Sequence, residues 1–80
     1  MVADEFHKKE YNFAAKEFEK SLSQNTNNSS TYFNLGNCYF QMKQYSLAIW
    51  AYESTLKSNP RDIVATEQIE LCYQLLNNGN

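Results

Sequence analysis

Apolar side chains recur along this chain at intervals of three and four residues, the spacing that gathers them on one face of an α-helix. Ala14, Phe18 and Leu22 show this spacing first, and it returns within residues 48–56 and 65–76. Polar and charged residues fill most of the positions between them. The pattern therefore predicts an all-α chain built from short amphipathic helices.

Turn-forming residues divide the pattern into five predicted helices. A break at Lys9 and Glu10 separates the first two, and a run of Asn, Thr and Ser over residues 25–30 favours a turn and caps the third. Asn59 and Pro60 end the fourth, because proline lacks an amide hydrogen and disfavours helical geometry in the residue before it. The predicted helices cover about residues 2–8, 12–24, 30–42, 46–58 and 62–76.

The chain also repeats itself. A shift of 34 residues aligns it with itself, as the spacing of Cys38 and Cys72 illustrates. The matched positions are mostly apolar and turn residues, which is what stacked copies of one supersecondary unit require. The matched pairs are Phe6 with Phe40, Lys9 with Lys43, Tyr11 with Tyr45, Ala14 with Ala48, Phe18 with Tyr52, Glu19 with Glu53, Leu22 with Leu56, Asn25 with Asn59, Leu35 with Ile69, Cys38 with Cys72 and Tyr39 with Tyr73.

The repeat sets the expected domain organisation. Eighty residues suit one small domain. Glu70 falls where Gly36 would recur, so the last helix is expected to be a cap or an isolated first helix of another repeat. The predicted domain is 1–80, with a partial first repeat at 1–28, a complete repeat at 29–62, the third-repeat first helix or capping helix at 63–76, and a disordered tail at 77–80.

Seven residues of the central unit stand at a characteristic spacing, namely Tyr32, Leu35, Gly36, Tyr39, Ala48, Tyr52 and Pro60. They resemble the tetratricopeptide repeat family, whose 34-residue pattern has Trp, Leu, Gly, Tyr, Ala, Phe and Pro. Here Tyr32 replaces the tryptophan, Tyr52 replaces the phenylalanine, and Thr55 stands where the family prefers alanine. The resemblance implies a short α-solenoid of antiparallel helix-turn-helix repeats with a terminal capping helix.

The resemblance also implies a function. In this family the first helices of successive repeats line a concave groove that holds a peptide segment of a partner protein, as in adaptors and scaffolds. Asn34 and Asn37 would hydrogen-bond the peptide, and Phe33 and Phe40 would receive an apolar side chain; generic repeat structure explains the asparagines equally well. The groove candidates are Phe6, His7, Phe33, Asn34, Asn37, Phe40, Gln41, Glu67, Leu71 and Gln74.

One branch of the family is not expected here. Its chaperone-binding members hold a C-terminal carboxylate with lysines, an arginine and asparagines. The matched places in this chain offer Ala3, Val64 and Gln68 instead of the basic residues. We therefore predict that this is not the carboxylate-clamp type of chaperone binding.

A second surface supports an alternative function. Trp50 lies among mostly polar helical neighbours, which predicts that its indole points outward beside Leu47 as a possible convex interface. Partial burial of Trp50 against Phe13 is the competing interpretation. If the interface exists, the chain would be a structural self-association segment of a larger multi-repeat protein, with a homodimer as one form.

Composition narrows the classes of function. A net charge of -2 and a pI near 5.2 leave no basic field for nucleic acid. No apolar run approaches the roughly 18 residues needed for membrane insertion. His7 is the only histidine, Cys38 and Cys72 lack further ligands, and a glycine-rich phosphate loop is missing, so we expect no enzyme, metal or cofactor. Buried free thiols and a soluble, cytoplasmic protein are expected.

Overall fold

The computed structural model describes residues 2–24 and 29–78, without the side chains of residues 2–8 and 24. Within these ranges all regular structure is helical, which confirms the predicted all-α fold class. The helices are α1 (Val2–Gln24), α2 (Ser29–Gln41), α3 (Tyr45–Ser58) and α4 (Ile63–Asn78).

Each helix packs mainly against its neighbour along the chain. The most extensive interface joins α2 to α3, followed by α3 with α4 and α1 with α2. Leu35, Tyr52 and Cys72 are fully buried at these interfaces. A core made from successive helices is the arrangement of a short helical solenoid, as the sequence predicted. The buried apolar residues are Ala15, Leu22, Leu35, Cys38, Tyr39, Ala48, Ile49, Ala51, Tyr52, Ala65 and Cys72.

Gly36 lets α2 and α3 approach closely. It is buried, and a Cβ added there would lie 2.8 Å from Cε1 of the Tyr52 ring. Carbon atoms do not approach this closely in a packed interior, so a larger residue would force the helices apart. The three atoms nearest to such a Cβ all belong to the Tyr52 ring.

A short turn connects α2 to α3. Lys43 has a φ of 62°, the left-handed conformation that is unfavourable for a residue with a side chain. The amide of Lys43 donates to the carbonyl oxygen of Phe40 at 2.9 Å, and that of Gln44 donates to Tyr39 at 2.9 Å. These hydrogen bonds end α2 while the antiparallel packing of α2 and α3 holds the turn closed.

The predicted break at Lys9 and Glu10 is wrong, because α1 runs through these residues without interruption. The region contains no proline or glycine, and lysine and glutamate favour helices. The shifted alignment places Val2 on Gly36, so a hairpin of the α2–α3 kind would bring a valine to a position that requires glycine.

The turn between α3 and α4 is well defined by hydrogen bonds. The Asn59 amide donates to the carbonyl oxygen of Thr55 at 2.9 Å, which ends α3 before Pro60 as predicted. Asp62 caps the start of α4, because one oxygen of its carboxylate accepts the amide hydrogen of Ala65 at 3.0 Å. Residues 25–28, which were expected to form the preceding turn and cap, lie outside the described residues.

Helix α4 is longer and less buried than its pattern predicted. It ends at Asn78, so the expected tail at 77–80 is helical in its first two residues, and 79–80 lie outside the described residues. Ala65 and Cys72 are buried as expected, whereas Tyr73 is 50% and Leu76 40% exposed. The apolar stripe of α4 is wider than the surface that α3 covers.

Candidate functional site

The predicted partner-binding residues of α2 occupy the stripe beside its core face. Leu35 and Gly36 are buried toward α3, whereas Asn34 and Gln41 are exposed and Asn37 is half-buried. This division follows from the helical period, which puts residues three and four apart on the same side. One face of α2 therefore makes the fold, and the adjoining face offers amide groups to solvent.

Phe33 and Phe40 are only partly available to a partner. The Phe33 ring lies 5.5 Å from the Tyr52 ring, and the Phe40 ring lies 5.4 Å from that of Tyr45 in an edge-to-face arrangement. Both phenylalanines are half-buried. They were expected to receive an apolar side chain of the partner, and each rests on an aromatic side chain of α3.

Asn37 is held by a residue of the core. The Tyr52 hydroxyl donates a hydrogen bond to the Asn37 carboxamide oxygen at 2.5 Å. Tyr52 is fully buried, and this burial raises the pKa of its hydroxyl to about 12, with smaller contributions from Cys72 and Cys38. At neutral pH the hydroxyl is protonated and serves as the donor.

The sequence did not predict this contact between Tyr52 and Asn37. The signal was present, since tyrosine stands where the resembled pattern has phenylalanine. The additional hydroxyl is the polar group that reaches the candidate site.

A pocket of about 280 Å³ adjoins the same face of α2. Phe33 and Asn34, two of the predicted partner-binding residues, line this pocket. Its other walls were not predicted from the sequence, because they come from the start of α2, the end of α3 and the following turn. The lining residues are Ser29, Ser30, Phe33, Asn34, Thr55, Asn59 and Asp62.

The remaining groove candidates lie on α4 and α1. Glu67 and Gln74 are exposed on α4, and Leu71 is 38% exposed beside them. The side chains of Phe6 and His7 lie outside the described residues. Of the α2 candidates, Phe33 and Asn34 line the pocket, whereas Asn37, Phe40 and Gln41 lie outside its lining.

The predicted convex surface contains a solvent-accessible aromatic residue. Trp50 is 48% exposed and Leu47 is 46% exposed. The indole packs edge-to-face on Tyr32, with ring centroids 5.8 Å apart. Trp50 is therefore half-buried against α2. Phe13, which the sequence offered as the residue that would partly bury Trp50, is itself 67% exposed.

A second tyrosine joins α1 to α2. The Tyr39 hydroxyl donates to the Glu19 carboxylate. Burial, together with this carboxylate, raises the pKa of Tyr39 well above its usual range. Cys38 and Cys72 are buried free thiols whose pKa values are raised by burial, as predicted for residues that fill the core.

The comparisons with known proteins identify the central unit. The tetratricopeptide repeat family matches residues 29–62, the span predicted for a complete repeat. Residues 29–62 are similar to one tetratricopeptide repeat, and this match covers 34 of the 80 residues. Comparisons with curated proteins and with solved structures produced no match.

The family gives a general function. Tetratricopeptide repeats mediate protein–protein interactions and are typically non-catalytic. Within residues 2–24 and 29–78, no helix has the length and apolarity needed to cross a membrane. Over the same part of the chain, no three His, Cys, Asp or Glu residues come together as metal ligands.

Proposed function

We propose that this tetratricopeptide repeat binds a peptide segment of a partner protein along the outer face of α2 and the adjacent face of α4. The observation that carries the proposal is the combination of half-buried phenylalanines with an oriented amide on one helix face. Phe33 and Phe40 rest on α3 aromatics, and Asn37 is held by Tyr52. Side chains fixed in this way lose little entropy on binding.

The charges along this face favour a neutral or basic peptide. Helix α2 carries no charged residue, and the only charged residues of α4 are Glu67 and Glu70. A C-terminal carboxylate would find no lysine or arginine on either helix. We therefore expect no detectable binding of a peptide ending in Glu-Glu-Val-Asp.

The pocket extends this surface. Its polar rim includes Asn34, Asn59 and Asp62, and the Phe33 ring forms an apolar wall. A peptide lying along α2 could place one side chain here, with its aliphatic part against Phe33 and its polar end toward the rim. The pocket would then add side-chain selectivity to the amide contacts of Asn37.

Displayed random peptides provide a direct test. Peptides selected on the wild-type chain are measured against Phe33→Ala combined with Asn37→Ala. We expect binding to weaken more than about tenfold, since truncated interface anchors commonly cost over 1 kcal/mol. Glu53→Ala, at an exposed position on α3, is the matched control and should bind as wild type. Unchanged binding by a folded double variant would refute the groove.

Self-association is the second candidate function, favoured by the apolar side chains that α4 exposes. They accompany Trp50 and Leu47, so the molecule presents two apolar surfaces. Light scattering over a range of concentrations tests this candidate: a dimer that Trp50→Ala or Leu76→Ser dissociates supports it, and a concentration-independent monomer excludes it. The exposed large apolar residues of α4 are Ile63, Val64, Leu71, Tyr73 and Leu76.

We further infer a non-catalytic, cytoplasmic role. The chain contains one histidine, His7, and its two thiols are buried with raised pKa values. Neither cysteine is therefore an activated nucleophile. The cytoplasmic location stays a prediction, which fluorescence microscopy of the tagged protein in its native cell would check.

A further inference from the structure

The pocket beside α2 lies where three elements meet. Ser29 and Ser30 begin α2, Thr55 belongs to α3, and Asp62 stands in the turn before α4. Its volume of about 280 Å³ lies just below the roughly 300–1,000 Å³ that sites for drug-sized ligands occupy. The space therefore suits one side chain of a bound peptide.

Asp62 is the only charged residue in the lining of this pocket. One oxygen of its carboxylate accepts the amide hydrogen of Ala65, and Asp62 is half-buried. No lysine or arginine within residues 9–23 and 29–78 forms an ion pair with it. A carboxylate has two oxygens and can accept about four hydrogen bonds, so a ligand can still donate to Asp62.

The helix ends near the pocket do not reverse this negative charge. The starts of α2 and α4 each carry about half a positive elementary charge, and the end of α3 carries about half a negative one. Together with the full negative charge of Asp62, they leave the pocket negative by about half a charge. Lys57 and Arg61 are exposed and lie outside the lining, where water and salt screen them.

The threonine in the lining cannot donate a hydrogen bond to a ligand. The Thr55 hydroxyl has one hydrogen, which it donates to the backbone carbonyl oxygens of Ser29 and Ala51, each at 3.3 Å. Ser30 and Asn59 are exposed, and the oxygens of their side chains can accept. The pocket is therefore better supplied for a ligand that donates than for one that accepts.

Phe33 supplies the apolar wall that a long basic side chain needs. Its ring is half-buried and packs 5.5 Å from the Tyr52 ring, which holds it in place. Lysine and arginine have aliphatic stems that cover apolar surface while the charged end stays at a polar edge. A cation close to the face of an aromatic ring is also attracted by that ring. An acidic side chain would instead be repelled by Asp62.

We infer that Asp62 is a specificity-determining residue and that this pocket takes a lysine or arginine side chain of the bound peptide. The aliphatic stem of that side chain packs on Phe33, and its N–H groups donate to the Asp62 carboxylate. This inference rests on the proposed function and adds a required side chain to it. Asp62 is not one of the seven residues that match the tetratricopeptide pattern, so the preference is particular to this chain.

Parallel selections from one displayed random-peptide library test the inference. One selection uses the wild-type chain, and the other uses Asp62→Asn, which removes the charge but keeps a side-chain oxygen to cap α4. Circular dichroism should show the same helix content for both chains. Peptides selected on the wild-type chain should share a lysine or arginine at one position, and those selected on Asp62→Asn should not.

Single peptides measure the size of the effect. In a selected peptide the shared lysine is replaced by norleucine, or the shared arginine by citrulline, so that the charge is lost and the stem is kept. Binding to the wild-type chain should weaken about tenfold, as expected for one charge-assisted hydrogen bond. Binding to Asp62→Asn should change less than about twofold. Glu53→Gln loses the same charge at an exposed position on α3 and should keep the tenfold effect.

The outcomes separate this inference from the proposed function. If the uncharged peptide binds the wild-type chain at full strength, or if Asp62→Asn keeps the tenfold effect, the inference is wrong. The groove still stands in either case, provided that Phe33→Ala combined with Asn37→Ala weakens binding. If the selected peptides bind this double variant as they bind the wild-type chain, the groove assignment fails, and the inference fails with it.

Discussion

Residues 2–24 and 36–58 correspond to each other under the 34-residue shift, yet they adopt different structures. The first region is the single helix α1, whereas the second contains the C-terminal part of α2, a turn and α3. The aligned lysines show the difference directly, since Lys9 is helical and Lys43 has a φ of 62°. Similar turn residues therefore do not by themselves produce the turn.

The difference shows that packing selects the hairpin. In the second region the absence of a side chain at Gly36 leaves room for the Tyr52 ring. The contact between the two buried helix faces offsets the cost of the left-handed backbone conformation of Lys43. In the first region the counterpart of Gly36 is Val2, which would prevent the same approach. A continuous helix then satisfies the backbone hydrogen bonds without strain.

The largest expected effect on stability comes from replacing Gly36 by valine, the residue that α1 has at the aligned position. Gly36→Val should destabilise the fold by about 3 kcal/mol, because the new side chain overlaps the Tyr52 ring. Urea unfolding followed by circular dichroism measures it. Glu53→Val, on the exposed side of α3, should cost far less. Equal losses for the two valines would show that the close approach at Gly36 does not control stability.

The two lysines should respond oppositely to glycine. Lys43→Gly should raise the free energy of unfolding by about 1 kcal/mol, because glycine adopts a positive φ without a side-chain clash. Lys9→Gly should lower it by about 1 kcal/mol, because glycine in a helix interior loses more backbone entropy. Both residues are exposed, so lost packing does not confuse the comparison. Thermal unfolding measures both variants, and midpoint temperatures that shift in the same direction would contradict the assigned backbone conformations.

A smaller effect is expected where the two regions meet. Tyr39→Phe removes the hydrogen bond from α2 to Glu19 of α1 and should cost about 0.5 kcal/mol, since Glu19 is exposed and water competes for its carboxylate. Relative to the wild-type chain, the rate of amide hydrogen exchange should increase more in α1 than in α3. Exchange that rises equally in both helices would mean that this contact does not hold α1 in place.

Alkaline pH should weaken the hairpin gradually. Burial raises the pKa of Tyr52 from 10.0 to about 12, and that of Tyr39 is raised further in the same direction. Between these values the folded chain binds more protons than the unfolded chain, so the free energy of unfolding falls as the pH rises. The stabilisation is complete below pH 10 and is lost toward pH 12 and above. Thermal unfolding measured at increasing pH checks the prediction. The midpoint temperature should fall less for Tyr52→Phe than for the wild-type chain. A wild-type midpoint that stays unchanged up to pH 12 would contradict the prediction.

Much of the fold followed from local sequence. The helical spacing of apolar residues gave α2, α3 and α4 to within two residues at each end, because a buried helix face must repeat with the period of the helix. The candidate site was only partly predictable. Its α2 residues lie on the expected stripe, but the support that Phe33 and Phe40 receive from Tyr52 and Tyr45 comes from another helix.

The sequence by itself determined the helical class, the 34-residue repeat and the tetratricopeptide unit at residues 29–62, since these depend on residue type and spacing along the chain. Tertiary structure decided whether a lysine would bend the chain, as at Lys43, or continue a helix, as at Lys9. It also decided that the Tyr52 hydroxyl donates a hydrogen bond to Asn37. Both outcomes depend on which atoms of distant residues come within contact distance, and spacing along one helix does not specify that.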